Sequence, residues 1–222
     1  FNQPVNNLPN SLKYLKLGDS FNQPVNNLPN SLKYLKLGYS FNQPVDNLPN
    51  SLETLILFFS DFNQPINNLP SCLITLKLGD FNQPVDNLPQ SLIFLEFFKD
   101  FNQSVDNLPN SIKYLTFGQY FNQQVEYLPN SIKYLTFGDK FNQPVNFLPN
   151  GLTHLIFIGN FSQSIDNLPD SLTYIRFKDT FDKQVNKLPS SIKKIILSKD
   201  YGDGYWQKDL FPEEYHKIIR FD

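Results

Sequence analysis

The sequence predicts a β-rich parallel solenoid, in which each coil of about 20 residues adds one short strand to a curved sheet and a short helix closes the C-terminal end. Three observations lead there. The segment FNQPVNNLPNSLKYLKLGDS at Phe1–Ser20 recurs ten times up to Asp200. A unit this short cannot bury its own apolar face, so its neighbours must complete the core. Each unit also closes on apolar residues spaced two apart, which is the period of a strand.

The units begin at Phe1, Phe21, Phe41, Phe62 and Phe81, and then at every twentieth residue to Phe181. The third is one residue longer and the fourth one shorter, with both changes falling just after the strand, near Phe59–Asp61 and Gly79–Asp80. That junction is where a solenoid tolerates a change of length. The phenylalanine that opens every unit is expected to point inward and pile into an aromatic spine, so that Phe101→Ala would cost about 3–5 kcal/mol. The asparagine and glutamine that follow have two readings: stacked amides that satisfy backbone groups of the neighbouring coil, or an exposed amide ladder that holds ice or sugar. Pro9 and its equivalents cannot donate to a ladder, so they belong to the arc opposite the strand, where a short turn or 3₁₀ segment is expected.

Positions twelve, fifteen and seventeen carry only Leu, Ile or Phe, as in Leu12, Leu15 and Leu17. The pattern apolar–x–x–apolar–x–apolar is the strand signature of leucine-rich repeats. Positions fourteen and sixteen then face away from the core. A glycine often follows, as at Gly18, Gly79 and Gly118, and is expected to let the chain turn out of the strand. At roughly 4.8 Å per strand, ten coils span on the order of 45 Å. Residues 1–200 thus form the repeat domain, and residues 201–222 a C-terminal cap. Within the cap, Tyr201–Trp206 reads as a turn and Leu210–Phe221 as a short amphipathic helix beginning near Pro212. Trp206 is expected to pack on the tenth unit.

Composition narrows the function. The formal net charge is −2, from 19 basic and 21 acidic residues, which argues against general attraction to nucleic acid or membrane. Cys72 is the one cysteine, so no internal disulfide forms, and a reducing, cytoplasmic setting is expected. It replaces a serine and reads as a small buried residue. The chain has no methionine and begins in phase with a repeat, as an excised piece of a longer protein would. His154 and His216 have no Cys or His partner at metal-ligand spacing. No phosphate loop or G-x-S-x-G elbow is present. Position six carries Asp46, Asp86, Asp106, Glu126 and Asp166 among asparagines and reads as a solvated outer turn without calcium-loop spacing. The expectation is a protein that is not an enzyme and needs no cofactor or metal.

The letters FN-x-P, a branched apolar residue, LP, S-L-x-x-L and L-G closely resemble the FNIP repeat, a relative of the leucine-rich repeat, with Gln3 at its third letter. The resemblance covers Phe1–Asp200, although Ser104, Gln124, Ser164 and Gln184 replace the proline in later units. It implies a source among amoebae or their giant viruses, and host cytoplasm for a viral member. It also implies a recognition arm of the kind that follows an F-box and presents targets to a ubiquitin ligase. This sequence carries no F-box, so that role rests on analogy.

The candidate binding surface is the inner sheet face, formed by positions thirteen, fourteen, sixteen and eighteen. Tyr14, Tyr34, Phe94, Tyr114, Tyr134, His154 and Tyr174 form its aromatic column, with Lys16, Lys36 and Arg176 beside it. Aromatic and basic side chains are enriched where proteins bind proteins. The alternative is cross-strand packing alone. Ile56, Phe58, Phe59, Ile74 and Phe98 interrupt the polar pattern in the middle units and make a second candidate, a self-association patch. The first expectation is therefore a scaffold that holds a protein partner, and the alternative a structural solenoid that forms homodimers through its middle.

Overall fold

The computed structural model describes residues 1–199 and 205–222. Ten strands recur at the predicted places: β1 (Tyr14–Lys16), β2 (Tyr34–Lys36), β3 (Thr54–Leu57), β4 (Thr75–Leu78), β5 (Phe94–Phe97), β6 (Tyr114–Thr116), β7 (Tyr134–Phe137), β8 (His154–Phe157), β9 (Tyr174–Phe177) and β10 (Lys194–Leu197). With an eleventh strand, β11 (Ile219–Phe221), they form one parallel sheet in sequence order. The register is coil on coil, Tyr14 opposite Tyr34 and Leu15 opposite Leu35, so each position meets its own kind in the next unit.

Among the described residues the return arcs of the coils contain turns and no helix. In every coil the position-twelve N–H donates to the carbonyl of the proline three residues back, as Leu12 does to Pro9 at 3.0 Å. Proline sets φ for this turn, and the turn delivers the position-twelve side chain into the core. The spine forms as expected: consecutive position-one rings lie nearly parallel, with Phe81, Phe101 and Phe121 centred 6.3 and 6.0 Å apart. A second column, Phe97, Phe117, Phe137, Phe157 and Phe177, packs against the first, with Phe117 centred 3.7 Å from Phe121.

The Asn–Gln pair takes the structural role. Asn2 Oδ1 accepts both the Asn22 backbone N–H at 2.8 Å and the Gln23 side-chain amide at 3.2 Å. The arrangement repeats through Asn122, which serves Asn142 and Gln143 in the same way. A third ladder comes from position eleven, where Ser31 donates to the Leu12 carbonyl of the preceding coil at 2.7 Å and the other serines do likewise. Cys72 stands at this position and is exposed, not buried. The position lies on the coil edge, where a hydroxyl is held by its bond, and the thiol is a much weaker donor.

At Gly118 and Gly138 the neighbouring coil approaches too closely for a side chain. A Cβ on Gly118 would lie 2.0 Å from the Phe98 carbonyl oxygen, and one on Gly138 equally near that of Gly118. These contacts are with backbone, which cannot yield as a side chain can.

The cap differs from the expected helix. Tyr205–Leu210 and Glu213–Ile218 are 3₁₀ segments, and β11 follows directly, pairing Ile219 with Ile195. Part of the turn expected at Tyr201–Trp206 lies outside the described residues. Trp206 is exposed, and Gln207 is buried in its stead. Gln207 accepts the Phe181 N–H at 3.2 Å and donates to the Ser198 carbonyl. Phe211 adds a ring above Phe181 at 6.0 Å, and the Leu210 carbonyl accepts the Val185 N–H. The cap thus supplies, with different residues, the bonds and the ring that another coil would provide.

Candidate functional site

In-register parallel strands place equal positions one above another at roughly 4.8 Å, close enough for outward aromatic rings to stack. At position fourteen they do. Phe94, Tyr114, Tyr134, His154 and Tyr174 form an unbroken ridge with ring centres 4.4, 4.8, 4.3 and 5.3 Å apart. Tyr14 and Tyr34 form a separate pair at 6.0 Å, tilted, with the Lys16 ammonium 5.7 Å from the Tyr34 ring. Thr54 and Thr75 separate the two groups, so the structure divides the predicted column in two. Lys194 closes the long ridge, 6.0 Å from Tyr174.

Polar groups pin the ridge. Thr153 Oγ1 donates to the Lys133 carbonyl at 2.9 Å and lies 3.0 Å from His154 Nδ1. Burial holds the His154 imidazole below its ordinary pKa of 6.5, because the charged form loses hydration between the rings. Arg176 is drawn to the C-terminal strand by its ion pair with Asp222. Beside Phe94 an open cleft of about 310 Å³ is lined by Thr75, Lys77, Glu96, Tyr114 and Thr116. Lys77 and Glu96 pair across it at 2.7 Å.

The middle units hold a distinct feature. Phe58 and Phe98, from the third and fifth coils, meet at 4.7 Å because the coil between them has Gly79 at that position. The extra residue of the third unit adds Phe59, 4.8 Å from Phe58, to make a cluster of three rings. Phe59 is 58% exposed and Phe98 44%. A groove of about 390 Å³ runs from Phe58 and Phe98 over Gly118 and Gly138 to Ile158. Ile56 and Ile74 are half-buried on β3 and just before β4, and belong to the sheet face.

On the opposite arc, Tyr127 and Phe147 replace the usual asparagine of position seven and are 70% and 66% exposed. They line an open groove of about 770 Å³ with Asp106, Glu126 and Asp170. The departure from asparagine was the available sequence signal for this pair. In the position-six row, Asp166 feels burial raising its pKa. The Asn186 side chain and backbone, the Lys187 N–H and Ser164 outweigh this and hold it low. Among the described residues no group of three His, Cys, Asp or Glu could hold a metal ion, and no helix is long and apolar enough to cross a membrane.

The fold and the exposed sheet define a leucine-rich-repeat-like solenoid, a class built on one strand per coil. Within that class the chain belongs to the FNIP Repeat family, whose repeat matches residues 1–27, 24–61, 62–100, 101–140, 124–160 and 161–200. The giant-virus protein CroV588, described as a novel circular LRR protein, is 42% identical, with a TM-score of 0.78 over 90% of this chain and 36% of its own. This chain therefore spans about a third of the length of CroV588. YopM from Yersinia enterocolitica shares the fold at 21% identity and a TM-score of 0.51, over 86% of this chain and 47% of its own. The internalin InlF from Listeria monocytogenes does so at 17% and 0.57, over 86% of this chain and 76% of its own. No curated protein is significantly similar in sequence.

Proposed function

We propose that this chain is a non-enzymatic recognition module that holds a protein partner on its sheet face. The observation that carries this reading is the aromatic ridge from Phe94 to Tyr174, half-open to solvent on a rigid in-register sheet. Packing of the core does not require it, since Thr54 and Thr75 occupy the same position in neighbouring coils. In a longer protein that carries an F-box, this face would hold the target of a ubiquitin ligase, as the family resemblance implies. The setting proposed is the cytoplasm, host cytoplasm for a viral protein, consistent with a lone exposed thiol at Cys72.

The test compares proteins captured from a cell extract by the wild-type chain and by a Tyr114→Ser/Tyr134→Ser variant of matched thermal stability. The proposal expects specific partners to be lost from the variant; an unchanged set would remove the sheet face from consideration.

The three-ring cluster supports a second reading, homodimerisation through Phe58, Phe59 and Phe98, because two of its rings are substantially exposed. Light scattering of wild type and Phe58→Ser/Phe98→Ser decides it. A dimer converted to monomer is expected, and a wild-type monomer refutes the reading.

A further inference from the structure

Charge is divided unevenly around the coil. Positions thirteen, fourteen, sixteen and eighteen, on and beside the strands, hold eleven of the 19 basic residues but only Glu53 and Glu96 of the 21 acidic ones. The sheet side is therefore formally +9 and the remainder −11, a polarity that the net charge of −2 conceals. Both acids on this side are already engaged, Glu53 with Lys33 at 2.6 Å and Glu96 with Lys77 at 2.7 Å. Lys13, Lys36, Lys113, Lys133, Lys193 and Lys194 are exposed, and among the described residues no carboxylate lies in ion-pair range of them.

We propose that the sheet face takes an extended acidic segment of a partner protein, an inference that rests on the recognition reading given above. Charge complementarity makes the first argument: with Lys33, Lys77 and Arg176 paired, carboxylates would still meet eight basic side chains on this face that are in no ion pair among the described residues, which steers association and fixes polarity. The ridge makes the second. Tyr114, Tyr134 and His154 each have a ring against both faces, so the faces are occupied and the edges are what a ligand meets. Ring edges carry the positive side of the aromatic quadrupole and suit a carboxylate. Among the described residues the hydroxyls of Tyr114, Tyr134 and Tyr174 have no partner, which leaves them as donors. Single-stranded nucleic acid is recognised chiefly by bases stacking on open aromatic faces, and this ridge offers none along its interior. The cleft of about 310 Å³ beside Phe94 has room for an apolar side chain of the same segment.

The test uses three labelled probes against the full chain: a peptide alternating Glu and Leu, a peptide alternating Lys and Leu, and an oligothymidylate of equal length. Fluorescence anisotropy is read for wild type, Lys113→Glu/Lys133→Glu and the milder Lys113→Gln/Lys133→Gln, each checked for an unchanged thermal melt. The acidic peptide should bind and the basic one should not. Charge reversal should weaken binding at least about tenfold, and the glutamine variant by less. Raising ionic strength from about 0.1 to about 1 M, where the Debye length shrinks from about 10 to about 3 Å, should also weaken it. Equal or tighter binding of the oligonucleotide overturns the proposal in favour of a phosphate backbone. Binding unaffected by charge reversal overturns it as well, as does absence of acidic-peptide binding. Any of these leaves the recognition reading standing, because that reading fails only if the Tyr114→Ser/Tyr134→Ser variant keeps its captured partners.

Discussion

At the scale of single residues, the stacked repeat makes identical letters unequal by position. Phe101 has rings on both sides and is fully buried, whereas Phe1 stacks on one ring, that of Phe21, and is 71% exposed. Phe101→Ala should lower stability by about 3–5 kcal/mol and Phe1→Ala by less than about 1 kcal/mol. Comparable losses in thermal melts would show that the spine is not the core. His154 gives a pH signature. Its folded pKa is lowered by burial, so the unfolded chain takes up a proton near its ordinary value of 6.5 while the folded chain resists. Stability from the neutral imidazole is present above that pH and is lost as pH falls through the folded value. His154→Tyr, which places at this coil the residue found at Tyr134 and Tyr174, should flatten this part of the acid limb. An identical acid limb in the variant would assign the loss to another group.

At the scale of the element, strand positions were legible because position fifteen and seventeen side chains alternate, and β1 to β10 begin at position fourteen in every unit. Other features were hidden because a coil's partners lie about 20 residues away, outside any local pattern. The position-eleven serine is one: its purpose is visible only once the Leu12 carbonyl of the coil below is in place. Cys72 interrupts that ladder, so Cys72→Ser should restore a hydrogen bond to the third coil and stabilise by about 0.5–1.5 kcal/mol. A melt unchanged or lowered by this substitution would contradict the ladder's contribution. The cap was misread for the same reason. Apolar residues from Leu210 to Phe221 fit a helical face, but the open edge of β10 offers Ile219–Phe221 a ladder of hydrogen bonds, and β-branched Ile219 suits it.

At the scale of the whole molecule, repetition settles the architecture and leaves function to the departures from it. The sheet-face column was legible as a row of letters at position fourteen, yet its division at Thr54 and Thr75 into a pair and a ridge depends on ring geometry. The polarity of charge, basic on the sheet and acidic elsewhere, was averaged away in the net charge. Three groups of exposed aromatics stand as alternative contact surfaces: the ridge, the three-ring cluster, and Tyr127 with Phe147 on the opposite arc. Hydroxyl-radical footprinting of their side chains, with and without a captured partner, separates these surfaces in one measurement. Recognition by the sheet face predicts protection of Phe94, Tyr114 and Tyr134, while Phe59, Tyr127 and Phe147 stay as reactive as in the free chain. Protection of Phe59 and Phe98, or of Tyr127 and Phe147, with the ridge left fully reactive, would contradict it.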